Sequence, residues 1–218
     1  MHEKSTVIEN VRRALGRVEP LASPPVPPSI DEPITRLVSS DIGLPELFAK
    51  MAEQNKIGLD RVTVDQLGTK LAAYLKAKGC DRVALPNSPL LNQLGLLESL
   101  RAAGLDARRW DQITLDELYD FDAGITDVYA AVAETGSLVI RASKDHGRSL
   151  SLVPPIHVAI VEPRNFLPDL IDLFDKLAID SCGSNTVIIT GPSKTSDIEM
   201  NLVTGVHGPT TVQVFLLV

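Results

Sequence analysis

The chain has 218 residues, enough for one large domain or a domain with an appendage. With 44% hydrophobic and 22% charged residues it is globular with a sizeable core, and at only 4% aromatic that core must come from Leu, Val, Ile and Ala. A net charge of -7 argues against nucleic acid as a partner, and no apolar run reaches the roughly 18 residues of a membrane span.

At the N-terminus Val7, Val11 and Leu15 recur at helical spacing with Ile8 beside them, which predicts a short amphipathic helix. It is too short to be stable alone and is expected to dock on its own domain or on a partner. Arg12, Arg13 and Arg17 fall on its other face, where solvent is the expected neighbour. MHEKSTVIENVRRALG holds no continuous apolar stretch, so it is not read as a secretory signal, and a cytoplasmic location is expected. Glu19 to Pro33, EPLASPPVPPSIDEP, is too proline-dense for a helix or central strand and reads as an extended linker or strap. The expected division is therefore an arm over residues 1–33 and an α/β domain over 34–218.

Within the body, Leu44-Pro45 opens a helix with Leu47, Phe48 and Met51 on one face. Thr63 and Gln66 fit a capping box ahead of Leu67, Leu71 and Leu75, and Gly79 ends that helix. Arg82 to Leu85 reads as a short buried strand. Ser88-Pro89 starts the next helix, and strand-like residues follow around Leu105 to Trp110. Helix and strand patterns alternating in this way predict an open α/β sheet. Asp127 to Arg141 reads as a hairpin turning at Glu134-Thr135-Gly136, Ile156 to Val161 as a strand, and Phe166 to Ala178 as a helix with Leu170, Ile171, Phe174 and Leu177 inward. Thr186 to Thr190 is a further strand. Thr211 to Val218, almost continuously apolar, is expected to be central. The fold class that results is α/β, with a mixed β-sheet flanked by helices.

Several segments carry chemistry-bearing side chains. In ITGPSKTSDIEMNLVTGVHGP, Ser196 and Glu199 fit S-x-x-E and would cap a helix. Gly191, Ser193, Lys194 and Thr195 precede that cap at a strand end, where free amides and a helix dipole would favour an anion. The stretch is either an anion cradle or only a capped helix. His207, between Gly205 and Gly208, is a titratable ligand contact or an ordinary turn residue. Glu134 is a solvated turn carboxylate or a nucleophile or base held at a hairpin tip, with Thr135 and Gly136 beside it. Lys144, His146 and Arg148 cluster in SKDHGRSLSLVPP, a loop able to receive a carboxylate or phosphate. The acidic run at Asp116, Glu117, Asp120 and Asp122 lacks calcium-loop spacing, and Thr114 with Glu117 caps a helix instead. Cys80 and Cys182 show no metal-ligand spacing, read as buried reduced thiols, and cannot supply the four thiolates of an ordinary iron–sulfur cluster.

AETGSLVI, GRSLSLVPPIHVAIV and ITGPSKTSDIEMNLVTGVHGP, in that order, resemble the LUD domain family of the lactate utilization protein C type. The match is close from about Gly124 onward, and over 34–123 it lies in the order of elements. The resemblance implies a fold similar to the NagB/RpiA/CoA-transferase group. It further implies a place beside two iron–sulfur proteins that together oxidise L-lactate to pyruvate in bacteria, with this chain as the member that holds no cofactor. Glu134-Thr135-Gly136 is similar to the E-x-G context of the glutamate in some CoA-transferases. The leading expectation is a subunit that binds a small carboxylate or phosphate-bearing ligand between the AETG hairpin, the HGR loop and the GPSKT loop. Its rivals are an acyl- or CoA-transfer enzyme using Glu134 and an assembly protein that grips a partner with its N-terminal helix.

Overall fold

The computed structural model describes residues 2–16, 26, 28, 36, 38, 43–180, 184–195, 203–204 and 208–218. The chain divides into two compact units, residues 1–35 and 36–218. In the first, α1 (His2–Ala14) is the helix that the Val7–Val11–Leu15 spacing predicts, and the apolar side chains at Val7, Ile8 and Val11, with Leu15 just past its end, are all exposed. Arg17, most of the proline-rich segment, Cys182, Ser196, Glu199, Gly205 and His207 lie outside the described residues.

The second unit is built on runs apolar on both faces, the pattern of parallel strands covered from both sides. Six strands form one sheet: β1 (Gly58–Val62), β2 (Arg82–Leu85), β3 (Asp106–Arg109), β4 (Ala123–Asp127), β7 (Ile156–Val161) and β12 (Thr211–Leu217). Their order is β1-β12-β7-β4-β2-β3, and every pairing is parallel. The terminal strand β12 lies between β1 and β7, with Val214 opposite Ala159, so the apolar C-terminal run is an inner strand as expected. A second sheet, in the order β8-β5-β6-β9, holds β5 (Ala130–Val132), β6 (Ser137–Arg141), β8 (Phe166–Leu167) and β9 (Thr186–Ile189). The expected mixed sheet is thus two sheets, one all-parallel and one with antiparallel β5-β6 and β6-β9 pairs.

Packing sets the layers. Leu67, Leu71 and Leu75 of α3 (Val64–Ala77) and Leu96 and Leu100 of α5 (Leu96–Ala102) bury one face of the large sheet, at Val83, Ile125, Val158, Ile160 and Phe215. The opposite face, with Ala159, Val161, Val212, Val214 and Leu216, meets Phe48 and Ala52 of α2 (Leu44–Gln54) and Ala131, Ala133 and Leu138 of the small sheet. The outer face of the small sheet lies under Leu173 of α7 (Leu170–Ile179). Phe48 is fully buried where these layers meet, and truncating it to alanine would cost about 3–5 kcal/mol.

Several local expectations change. Thr63 is the N-cap of α3, but its side chain makes no capping bond, so the T-x-x-Q box is not closed. Ser88 does cap α4 (Pro89–Gln93) through Leu91 N–H, and Thr114 with Glu117 closes a full capping box on α6 (Leu115–Leu118). The helix expected from Phe166 starts at Leu170, because Phe166 and Leu167 pair with β5 and Asp169 caps the helix by accepting from Asp172 N–H. Of the residues expected inward, Phe174 is exposed, and the buried position is Leu173, with Leu170 and Leu177 partly buried beside it. Among the described residues no helix is long and apolar enough to cross a membrane.

Candidate functional site

The AETG tip and the GPSKT loop meet at Asn55, just past α2. Gly136 has φ +65, and a Cβ there would stand 2.6 Å from the Ala52 nitrogen and 2.7 Å from the Met51 carbonyl carbon. Only glycine lets the hairpin lie so close to the helix backbone. The Asn55 side-chain amide donates to the Thr135 carbonyl at 2.8 Å, while its own backbone carbonyl would be 2.6 Å from a Cβ on Gly191. Because β6 and β9 pair antiparallel with Leu138 opposite Ile189, the residues just outside that pair also face one another. The result is a chain of hydroxyls: Thr135 Oγ1 to Ser137 Oγ at 2.7 Å and Ser137 Oγ to Thr190 Oγ1 at 2.7 Å. Ser193 N–H donates to the Pro209 carbonyl at 2.8 Å, and Lys194 is exposed.

Lys194–Thr195 (β10) is extended and pairs antiparallel with Val203–Thr204 (β11) in a two-stranded sheet. The helix expected after the Ser196 cap, whose free amides would favour an anion, falls outside the described residues. Glu134 donates its backbone N–H to the Pro168 carbonyl at 3.0 Å. Partial burial, and then the negative charge of Asp169, raise its carboxyl above the usual range. Asp169 itself lies 3.2 Å from the Arg36 guanidinium, which also pairs with Asp172 at 2.8 Å.

The HGR loop is placed elsewhere. Its neighbours Ala142 and Ser143 follow the Arg141 end of β6, while the AETG tip precedes the Ser137 end, about 13 Å away at the rise of an extended strand. The three loops expected at one rim therefore gather in two places. Glu134, Thr135, Gly136 and Gly191 belong to one, and His146 and Arg148 to the other, while Ser193 stands against Gly208 and Pro209, where Gly208 also approaches the Leu152 carbonyl that follows the HGR loop.

At this second place Gly147 lies so close to Trp110 that a Cβ would overlap the indole ring. Trp110 Nε1 donates to Ser149 Oγ at 3.0 Å, so the loop holds the ring by face and by edge. A cleft of about 500 Å³ opens beside it, and the exposed Arg148 lines it. Arg148 makes no ion pair among the described residues.

Beneath the loop, His146 turns inward. Its Nδ1 is 3.6 Å from Asp127 Oδ1, too long for a hydrogen bond. His157, on β7 and fully buried, shares a 2.9 Å hydrogen bond between Nε2 and Thr126 Oγ1. Burial, then the nearby His146, holds the His157 pKa down to about 3, so the ring is neutral at neutral pH. Burial also lowers His146, against a smaller opposing pull from Asp127. Asp127 Oδ1, His146 Nε2 and His157 Nδ1 are buried without hydrogen-bond partners. Among the described residues no group of His, Cys, Asp and Glu is arranged to hold a metal ion. Cys80 is buried, and burial followed by the charge of Asp122 pushes its thiol up to about 11, which makes it a poor nucleophile.

Asn55, Trp110, Asp127, Thr126 and His157 were not among the site residues expected from sequence. His157 carried a signal, since it is the one polar side chain in the strand IHVAIV. Trp110 carried another as the sole tryptophan of the chain.

The family model of the LUD domain matches residues 45–217. The chain is 30% identical to the lactate utilization protein C of Halalkalibacterium halodurans over 96% of this chain and 95% of that one. It is 31% identical to the lactate utilization protein C of Bacillus licheniformis over 96% of this chain and 93% of that one. The crystal structure of a DUF162 family protein from Deinococcus radiodurans shares the fold with a TM-score of 0.64, at 22% identity, over 83% of this chain and 99% of that one. With a matching model across the whole sheet framework and relatives of its own length, the chain belongs to the LUD domain family.

Proposed function

We propose that this protein is the cluster-free subunit of a bacterial system that oxidises L-lactate to pyruvate, acting in the cytoplasm beside iron–sulfur partner proteins. It holds a small carboxylate- or phosphate-bearing ligand in the Arg148 cleft. Support for the role comes from likeness, over nearly the full length, to proteins named lactate utilization protein C. The observation that carries the ligand is Arg148: a guanidinium without an ion pair among the described residues, lining a cleft of about 500 Å³. A planar, permanently charged fork in such a place suits a carboxylate or phosphate in bidentate contact.

Electron transfer is assigned to the partners, because Cys80 and Cys182 do not make up the four-thiolate set of an ordinary cluster. The transfer reading with Glu134 as nucleophile has less support, since Glu134 sits at the other end of β6 from Arg148 and beside a second carboxylate.

Deleting the gene from its native host tests the role. Loss of growth on L-lactate as sole carbon source, with growth on pyruvate retained, is expected, as is recovery of iron–sulfur proteins with the tagged chain. Normal growth on L-lactate in a host without a second copy contradicts it.

A further inference from the structure

We infer that the natural ligand of the Arg148 cleft is an organic anion with an apolar or planar body, and that neither lactate itself nor a bare inorganic anion fills it. This rests on the reading of the cleft as an anion site and narrows the ligand class.

The lining combines two chemistries. Trp110, Ile113, Leu115 and Leu118 are apolar, and Leu115 is 57% exposed although nothing polar recommends it to water. Arg148, Ser143 and Ser149 are polar. Ser149 Oγ accepts from the Trp110 indole and Ser143 Oγ accepts from Asp145 N–H, so each hydroxyl keeps its own proton to donate. A ligand spanning the cleft would therefore set its charged end against Arg148 and the two hydroxyls and its carbon skeleton against the indole and leucines. Sites for small molecules have this composition, mostly apolar lining with a few convergent polar groups, and about 500 Å³ lies within their usual range of roughly 300–1,000 Å³. At about 30 Å³ for each water in the liquid, a three-carbon acid would leave most of that space to solvent and the apolar lining wet.

The indole is fixed by Gly147 behind it and Ser149 at its edge, so it offers a preformed surface. As the sole tryptophan it also reports on the cleft directly.

The test is a titration of the full chain, read by Trp110 fluorescence and by calorimetry. The probes are phenylpropionate, the neutral phenylpropanol, L-lactate and inorganic phosphate. Phenylpropionate is expected to bind saturably and at least about tenfold more tightly than each of the other three, the size of effect that one charge-assisted hydrogen bond or one buried apolar group carries. Arg148→Gln should weaken phenylpropionate about tenfold or more and leave phenylpropanol unchanged. Leu115→Gln, at an exposed position that tolerates the change, should weaken both. Lactate or phosphate binding as tightly as phenylpropionate overturns the ligand class and leaves the anion site standing. Equal binding of phenylpropionate to the wild type and Arg148→Gln, or no binding by any anion in either readout, overturns the anion site as well.

Discussion

Replacing Gly136 by alanine isolates the close approach that joins the AETG tip to α2, and Gly95 supplies its control. Both glycines have left-handed backbones, with φ +65 and +59. An L-residue in that region costs about 1–2 kcal/mol, partly offset by about 0.4–1 kcal/mol from a stiffer unfolded chain. Around Gly95 a Cβ would meet nothing within 4 Å, so Gly95→Ala should cost about 1 kcal/mol from the backbone alone. At Gly136 the Cβ would meet backbone atoms of Ala52 and Met51 at 2.6 and 2.7 Å, and a backbone cannot swing aside as a long side chain can. Forcing the hairpin off the helix adds about 1–3 kcal/mol, as overpacking does in cores. Gly136→Ala should therefore cost about 2–4 kcal/mol, and the hydroxyl chain from Thr135 to Thr190 should lose its alignment. Urea unfolding with matched slopes gives the difference, since an unchanged slope leaves the midpoint to report stability. Equal destabilisation of the two variants would refute the argument, because it would mean that the contact with α2 contributes nothing.

The buried imidazoles make stability depend on pH. His157 has a folded pKa of about 3 against an ordinary 6.5, so the unfolded chain binds more protons between those values. Stability should be full above about pH 6.5 and fall as pH drops toward 3, with His146 adding in the same direction, and His157→Gln should flatten this acid limb in urea titrations. Gly147→Ala should drive the indole from its seat, seen as a red shift of Trp110 emission in an otherwise folded protein; unchanged emission would contradict the packing of the HGR loop. Asn55→Ala removes the amide that holds the Thr135 carbonyl and should lower stability by about 0.5–1.5 kcal/mol by the same unfolding assay.

The sequence carried much of the framework because local chemistry and tertiary need agreed there. The apolar run of β12, the Thr114–Glu117 box and the Gly136 turn each follow from side chains within a few residues. Elsewhere the deciding contacts were remote. Gly58–Val62, GLDRV, has no strand pattern of its own and becomes β1 by pairing along β12. Ala123–Asp127, AGITD, is short and carries a glycine, yet it sits mid-sheet by pairing with β2 and β7, and Gly124 leaves the space that the Leu150 carbonyl takes. Phe166 and Leu167 look like the start of the following helix until β5 captures them. The site was legible as a list of loops and not as a geometry. Spacing marked AETG, HGR and GPSKT, but the antiparallel β6–β9 pair, which brings Thr190 and Gly191 to the AETG end while HGR follows the other end of β6, is a long-range pairing that residue spacing does not encode.

The central claim, that a LUD-domain subunit supports lactate oxidation by binding an anion at Arg148, is tested most directly by growth of the native host carrying only the Arg148→Gln chain. Arg148 lies on the surface, so the variant protein should accumulate normally. Growth on L-lactate as sole carbon source should be lost or severely slowed, as in the deletion strain, while growth on pyruvate continues. Wild-type growth on L-lactate at equal protein level would contradict the account.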